Sequence, residues 1–303
     1  MIRVEAVGVD VGGVRAIDGV TLAIGPGEAW ALIGRCGSGR STLLAAIAGT
    51  IPLAAGDVVI EGVSLNDDPR SYRRLVGYVP AGLVAWPAIR AGDFLELFAA
   101  EGGLAGKPLA AAVERGLAAA GLSGGAQVRV DRLPDGAAKR LLVARALLFD
   151  PRVLVLDDPF RALDPAERRD VERLIADMML VDRCIVAACD DGVVPSGWTH
   201  LALVASGRLV RQGVATPEGF GARRYRVRFA VPGRADEAVA VFGSGPSVRA
   251  VDPDTVEASL AGSAAIAAAV ATLVDAGIVP SGVGYHPAWS AQWLEDDLEP
   301  AGD

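Results

Sequence analysis

The apolar run Ala-Trp-Ala-Leu-Ile-Gly at 29–34 passes without a break into Gly-Arg-Cys-Gly-Ser-Gly-Arg-Ser-Thr at 34–42. The first stretch reads as a strand buried on both faces. A helix pattern rich in Leu and Ala follows the second. Strand, glycine-rich loop and helix in that order leave little choice of local fold. Gly34, Gly37 and Gly39, with Ser38 between them, let backbone N–H groups turn toward one point. The helix that begins near Ser41 aims the positive end of its dipole at the same point. Such a cradle suits a polyphosphate. The spacing is that of G-x-x-x-x-G-K-[ST], with Arg40 in place of the lysine and Ser41-Thr42 closing it. Ser41 would place a hydroxyl on Mg²⁺. Arg40 keeps the charge, but its planar fork is bulkier than an ammonium. Two outcomes stay open for it: pairing with phosphate, or a clash in a loop shaped for lysine. A glycine-rich turn that binds nothing is the plain alternative.

Other buried runs point to an α/β chain. "RVLVLDDP" at 152–159 and "CIVAAC" at 184–189 read as further buried strands, and "VGYVP" at 76–80 as a strand ending at Pro80. "DVVIEGVSL" at 57–65 reads as strand, turn and strand. Residues 88–122 and 137–149 read as helical, and 165–180 as an amphipathic helix with Pro165 near its start. "HLALVASGRLVRQG" at 200–213 reads as a hairpin turning at Ser206-Gly207. The pattern changes near 215–224. Beyond it we expect strands at 225–231, 248–251, 255–260 and 278–285, a helix at 263–276 and a last helical piece at 289–298. The expected division is a large domain over 1–215, with a helical subdomain at about 83–148, and a small accessory α/β domain over 216–303.

Composition narrows the partners. The 303 residues carry a net charge of −8, which argues against a non-specific nucleic-acid binder. The three cysteines, Cys36, Cys184 and Cys189, have no metal-type spacing and fit a reduced compartment. The most apolar helical stretch, at 264–274, is too short to span a bilayer, and the N-terminus lacks a signal-peptide core.

With "VTLAIGPGEAWALIGRCGSGRSTLLAAIAG" at 20–49 and "ARALLFDPRVLVLDDPFRALDP" at 144–165, the chain resembles the nucleotide-binding subunit of ABC transporters over roughly residues 1–215. The resemblance implies a P-loop ABC ATPase fold, a mixed sheet with a helical subdomain. It also implies ATP and Mg²⁺ as cofactors, a transmembrane permease subunit as partner, and a homodimer or a heterodimer with another ATPase subunit. The place it implies is cytoplasmic, peripheral on the inner face of the membrane. The tail over 216–303, with "WLEDDL" at 293–298, resembles the accessory region of drug-exporter-type subunits.

"LSGGA" at 122–126 spells the family's signature, but in the wrong place. The family's signature serine lies a little over twenty residues before the Walker B aspartate, matched here by Asp157. Pro134 lies 23 positions before Asp157, and Ser123 lies 34, about three helical turns too far. The signature position therefore reads Pro134-Asp135-Gly136. Proline has neither hydroxyl nor N–H, and Asp135 brings a carboxylate to a place made for phosphate.

Carried over one position at a time, further groups differ. Val11 stands where the family stacks an aromatic ring on adenine. Ala81 stands at the Q-loop position and cannot ligate Mg²⁺. Asp158 replaces the glutamate that polarises the attacking water and is shorter by one methylene, about 1.5 Å. Cys189, followed by Asp190, replaces the switch histidine, and a thiol is a weak donor. Ser41 and Asp157, the latter through water, are the implied Mg²⁺ ligands. The D-loop persists as Ala162-Leu163-Asp164. Trp86 and Phe94 are candidate anchors for a permease, or else core residues.

The expectation is a degenerate subunit that supports or regulates a permease and hydrolyses ATP weakly or not at all. An active ATPase subunit of an exporter and a soluble ABC-like scaffold without a permease stand as alternatives. An unrelated P-loop enzyme conflicts with the ordered "LDDP…ALDP" pair.

Overall fold

β1 (Ile2–Val11) and β2 (Val14–Ile24) form a hairpin that turns at Gly12-Gly13, where both residues take positive φ. β3 (Ala29–Ile33) leads into α1 (Arg40–Ile47), and β4 (Ala55–Ile60) and β5 (Val63–Ser64) follow. The hairpin and these two strands make a four-stranded sheet in the order β2-β1-β4-β5. The structure is a computed structural model. It describes residues 1–81, 88–161, 163–179, 182–189, 198–215, 225–243, 248–260 and 262–287.

α2 (Pro69–Arg74) starts where Asp68 accepts from the Ser71 N–H at 3.0 Å and Pro69 takes the first helical position. β6 (Val76–Val79) follows. The long helical stretch expected at 88–122 is broken in two, α3 (Ala91–Glu101) and α4 (Gly106–Ala119). Gly102 and Gly103 end α3, and the positive φ of Gly103 redirects the chain. α5 (Asp135–Ala146) starts two residues earlier than its apolar pattern suggests, directly after Pro134, which follows a short 3-10 turn at Val130–Arg132.

β7 (Val153–Asp157), α6 (Pro165–Met179), β8 (Cys184–Ala188), β9 (His200–Ala205) and β10 (Arg208–Val214) complete the first unit. At the start of α6, Asp164 accepts from the Ala166 and Glu167 N–H groups at 2.7 and 2.8 Å. Glu167 accepts in return from the Asp164 N–H at 3.3 Å, the reciprocal box of a well-made helix start. The second sheet has the order β10-β9-β3-β8-β7-β6. Within it β3 pairs in parallel with both β8 and β9, β7 with β8, and β6 with β7. Every residue of β3, β7 and β8 is buried, as their unbroken apolar runs require. The core joins the two sheets across α1, whose Leu43, Leu44 and Ile47 are fully buried.

The chain divides into two compact units, Met1–Asp190 with Val194–Gln212, and a second that begins at Gly213. The second unit contains β11 (Tyr225–Ala230), α7 (Ala235–Phe242), β12 (Val248–Asp252), β13 (Thr255–Leu260), α8 (Gly262–Asp275) and β14 (Gly282–Pro287). Its sheet has the order β12-β13-β11-β14, with every pair antiparallel. That succession is the split βαβ of ferredoxin-like units. Val227, Phe229, Val256, Ala258 and Leu273 form its core. α7 was not expected from sequence; its apolar stripe, Ala235, Ala238, Val239 and Phe242, spans only two turns and is made mostly of small residues. The last strand begins at Gly282 rather than 278, since the Gly277 turn and Pro280 delay pairing. The helical piece expected at 289–298 lies outside the described residues.

Candidate functional site

Parallel strands align their carboxyl ends along one sheet edge, where open α/β sheets place ligands. Here β3 ends in the glycine loop, β6 in Ala81, β7 in Asp157-Asp158 and β8 in Cys189. Pairing of Leu32 with Ala188, and of Ala188 with Asp157, sets three of these ends side by side. A cleft of about 590 Å³ opens at that edge. Gly37, Ser38, Gly39, Arg40, Ser41, Thr42, Ala81, Asp157 and Asp158 line it. Gly39 takes a φ of +104° as it turns the loop into α1, and a Cβ there would meet Ile17 Cδ1 at 2.9 Å.

The polar groups of the cleft are specific in their bonding. The Ser41 hydroxyl donates to Asp157 Oδ1 at 3.0 Å. The Ser38 hydroxyl is buried without a hydrogen-bond partner, which is costly unless an oxygen of a ligand meets it. Burial pushes the Asp157 carboxyl above the ordinary aspartate value, while the Ser41 bond and the charges of Arg40 and Lys139 pull it back. Asp158 is buried and takes a φ of +48°, a left-handed conformation that Asp tolerates better than most side chains. Ser41 and Asp157 are hard oxygen donors and fit the ligand set of Mg²⁺. Ala81 adds no side-chain ligand.

Arg40 turns inward. It is 7% exposed, and its Nη1 donates to the Cys189 carbonyl at 2.6 Å. The clash considered for it from sequence is avoided because the guanidinium finds this carbonyl at the end of β8. Cys189 itself is buried and is not in the cleft wall, where its neighbour Ala188 stands. Val11 also stays out of the wall. It is exposed at the end of β1 and pairs across the hairpin with Val14, and it is Val14 that lines the cleft. Phe94 is fully buried and packs edge-on against Phe98 at 5.0 Å, so it belongs to the core rather than to a docking surface. Trp86, Ala162 and Asp190 lie outside the described residues.

Pro134, Asp135 and Gly136 do not reach the cleft. They start α5. The carboxylate that takes the Gly136 N–H is not Asp135 but Glu167, at 3.0 Å from the first turn of α6. A Cβ on Gly136 would meet Glu167 Cβ at 2.7 Å, so only glycine permits this approach. "LSGGA" falls between α4 and α5, with Leu122 to Gly125 forming a turn closed by the Gly125 N–H on the Leu122 carbonyl.

An ABC transporter family model matches residues 17–161. The aliphatic sulfonates import ATP-binding protein SsuB 1 of Streptomyces avermitilis is 34% identical over 212 residues, covering 64% of this chain and 74% of that protein. The chain belongs to the ABC transporter family. It carries that family's ATP-binding domain. The Nod factor export ATP-binding protein I of Burkholderia thailandensis is 31% identical over 198 residues, 65% of each chain. ABC transporter A family member 11 of Arabidopsis thaliana is 32% identical over 163 residues, but the chain spans only 17% of that protein's length. In fold, the chain resembles a dimeric post-hydrolysis ATP-binding cassette bound to ADP and Pi, with a TM-score of 0.63 at 24% identity over 71% of this chain and 99% of that one. Among the described residues no helix is long and apolar enough to cross a membrane.

Two ABC-site residues escaped the sequence reading. Lys139, on α5, is 2% exposed and donates to the Ala81 and Asp158 carbonyls, both at 3.2 Å. Glu167 is the other. Signals existed for both: the chain has only two lysines, Lys107 and Lys139, and Asp164-x-x-Glu167 is a helix-start box.

Proposed function

We propose that this chain is the ATP-binding subunit of an ABC transporter that takes a nucleotide in the cleft at β3 but hydrolyses ATP weakly or not at all. Its role would be to support or regulate a permease from the inner face of the membrane. The observation that carries the reading is the set of groups at the four strand ends. The glycine loop, Ser38, Ser41 and Asp157 suit a polyphosphate with Mg²⁺. The Ala81, Asp158 and Cys189 positions supply neither a metal ligand, nor a long base, nor an imidazole. Phosphoryl transfer depends almost wholly on positioning and charge stabilisation. A site that keeps the cradle and lacks those groups holds phosphate and turns it over slowly.

In a dimer of such subunits, the start of α5 would face the partner's nucleotide. Pro134 brings no hydroxyl there, and the Gly136 N–H is already bonded to Glu167. Both composite sites would then be impaired when this chain pairs with an intact subunit. That favours a regulatory half over a silent partner beside one whole site. An apolar wall at Val14, not Val11, would meet the base of the nucleotide. The division near 215 and the drug-exporter type are supported by the ferredoxin-like second unit and by "WLEDDL" at 293–298, the latter outside the described residues. The named relatives include both import and export proteins.

The test is ATP turnover by the purified chain beside Asp158→Asn, together with ADP and ATP titrations. Binding with equal, negligible turnover in both chains is expected. Robust turnover that Asp158→Asn abolishes would make this an active ATPase and overturn the reading.

A further inference from the structure

Among the described residues of the first unit, the buried charged side chains are four: Arg40, Lys139, Asp157 and Asp158. All four belong to one site. Arg40, Asp157 and Asp158 line the cleft, and Lys139 lies behind its floor on the carbonyls of Ala81 and Asp158. Buried charges persist when they are balanced and hydrogen-bonded. The two buried cations and two buried carboxylates balance one another, and the exposed Arg161 guanidinium on the cleft wall adds a further positive charge 3.8 Å from Asp158 Oδ2. The phosphate-loop cation alone would leave one negative charge for a divalent ion to neutralise, so the second cation, Lys139, changes the electrostatics of the metal position.

The same lysine sits where a ligand has gone. Ala81 has no donor atom in its side chain, and the carbonyl of that residue is held by the Lys139 ammonium. The second bond, to the Asp158 carbonyl, fixes the loop that follows β7. Both bonds start from α5, so one ammonium ties the backbone of two strand ends to the helix that begins at Asp135. Burial pushes this ammonium below the ordinary lysine value, and the carboxylates of Asp158 and Asp157 act in the opposite direction.

We propose that Lys139 is a positioning residue that acts as the resident cation of the nucleotide site, holding Ala81 and Asp158 in place and making nucleotide binding by this chain nearly independent of Mg²⁺. The inference rests on the reading that the cleft takes a nucleotide. It sets the ligand as a nucleoside di- or triphosphate without an obligatory divalent ion.

The experiment titrates ADP and ATP into the full chain with EDTA and with millimolar Mg²⁺, and titrates Mn²⁺ alone by its paramagnetic resonance. Lys139→Met and Lys139→Gln are measured beside the wild type, each first shown to be folded by its circular dichroism and melting curve. The wild type is expected to change affinity less than about threefold with Mg²⁺ and to leave Mn²⁺ free. Removal of the ammonium is expected to raise the Mg²⁺ effect to about tenfold or more, because a buried elementary charge behind the cleft floor is lost. Lys139→Gln keeps a donor for the two carbonyls, so a Mg²⁺ effect shared by both variants assigns the result to charge rather than to packing.

Because the chain has only two lysines, lysine-selective isotope labelling also reads the Lys139 ammonium directly, and ADP without metal is expected to shift it. Nucleotide binding that needs Mg²⁺ in the wild type overturns this proposal alone, and requires no variant to fold. Variants that gain no Mg²⁺ or Mn²⁺ sensitivity overturn it as well. Absence of any nucleotide binding, with or without metal, overturns the function proposed above and this inference with it.

Discussion

The Arg40 guanidinium donates to the Cys189 carbonyl at 2.6 Å, joining the first residue of α1 to the end of β8 across 149 positions of sequence. This bond ties the phosphate loop to the strand end that would sense phosphate. Arg40→Met removes a buried, charge-assisted bond and one of the two cations beside Asp157. We expect a loss of about 1.5–3 kcal/mol in denaturant unfolding. Arg40→Lys keeps the charge on a compact head and should bind ADP more tightly than the wild type, since its ammonium is not committed by a planar fork to the Cys189 carbonyl. Unchanged unfolding of Arg40→Met would show that the bond carries no stability.

Two glycines of the loop separate strain from collision. Gly37 has a φ of +80°, and a Cβ added there would meet nothing within 4 Å, whereas Gly39 has a φ of +104° and its Cβ would meet Ile17 Cδ1 and Ala16 O at 2.9 and 3.0 Å. Gly37→Ala should therefore cost about 1–2 kcal/mol from backbone handedness. Gly39→Ala should cost more, and should weaken ADP binding as the start of α1 shifts. Equal melting temperatures for the two variants would contradict the assignment.

Glu167 serves two helix starts at once, through the Asp164 N–H and the Gly136 N–H. Glu167→Ala should destabilise the chain by about 1–2 kcal/mol, within the range of a lost cap. Glu167→Gln keeps an acceptor for only one of the two N–H groups and should lose less than Glu167→Ala. If the Gly136 amide is where another subunit's phosphate would dock, Glu167→Ala should also promote ATP-dependent association, read by sedimentation. A variant as stable as the wild type and unchanged in association would remove Glu167 from both roles.

Glu28 supplies a pH test. Its Oε2 accepts from Trp30 Nε1 and from the Gly25 N–H, both at 2.8 Å, while the Trp30 ring stacks on His200 at 4.6 Å. Burial alone would raise this carboxyl, but the Trp30 and Gly25 bonds outweigh it and leave it below the ordinary glutamate value. A carboxyl depressed in the folded state adds stability above its unfolded value, and that contribution is lost as the pH falls through the folded value. Glu28→Gln should therefore be less stable than the wild type at neutral pH. The difference should close below the ordinary glutamate value of about 4.3. A gap that stays constant from neutral to acid pH would show that the charge of Glu28 is not involved.

Local pattern carried the buried strands and the glycine loop that follows β3. β3, β7 and β8 are unbroken apolar runs because both their faces are covered, and the loop is legible because its glycines follow such a run. The family spacing pointed to Pro134 rather than Ser123 as the signature position, and Pro134 stands immediately before α5. Continuity misled at 88–122, where Gly102 and Gly103 divide one helical pattern into α3 and α4. Short, Ala- and Val-rich α7 carried its stripe over only two turns, at Ala235, Ala238, Val239 and Phe242.

What pattern could not reach is which charged side chain answers which backbone group. Arg40 meets a carbonyl at Cys189, Lys139 meets carbonyls at Ala81 and Asp158, and Glu167 meets an N–H at Gly136. Backbone carbonyls and amides are present at every residue and leave no letter in a sequence, so partners of this kind emerge only when folding brings distant segments together. The linear order of residues was enough to specify the buried strands, the glycine loop and the family they compose. Parallel pairing of β6, β7, β8 and β3 then gathered their ends at one edge, and burial there obliged Arg40 and Lys139 to find backbone carbonyls.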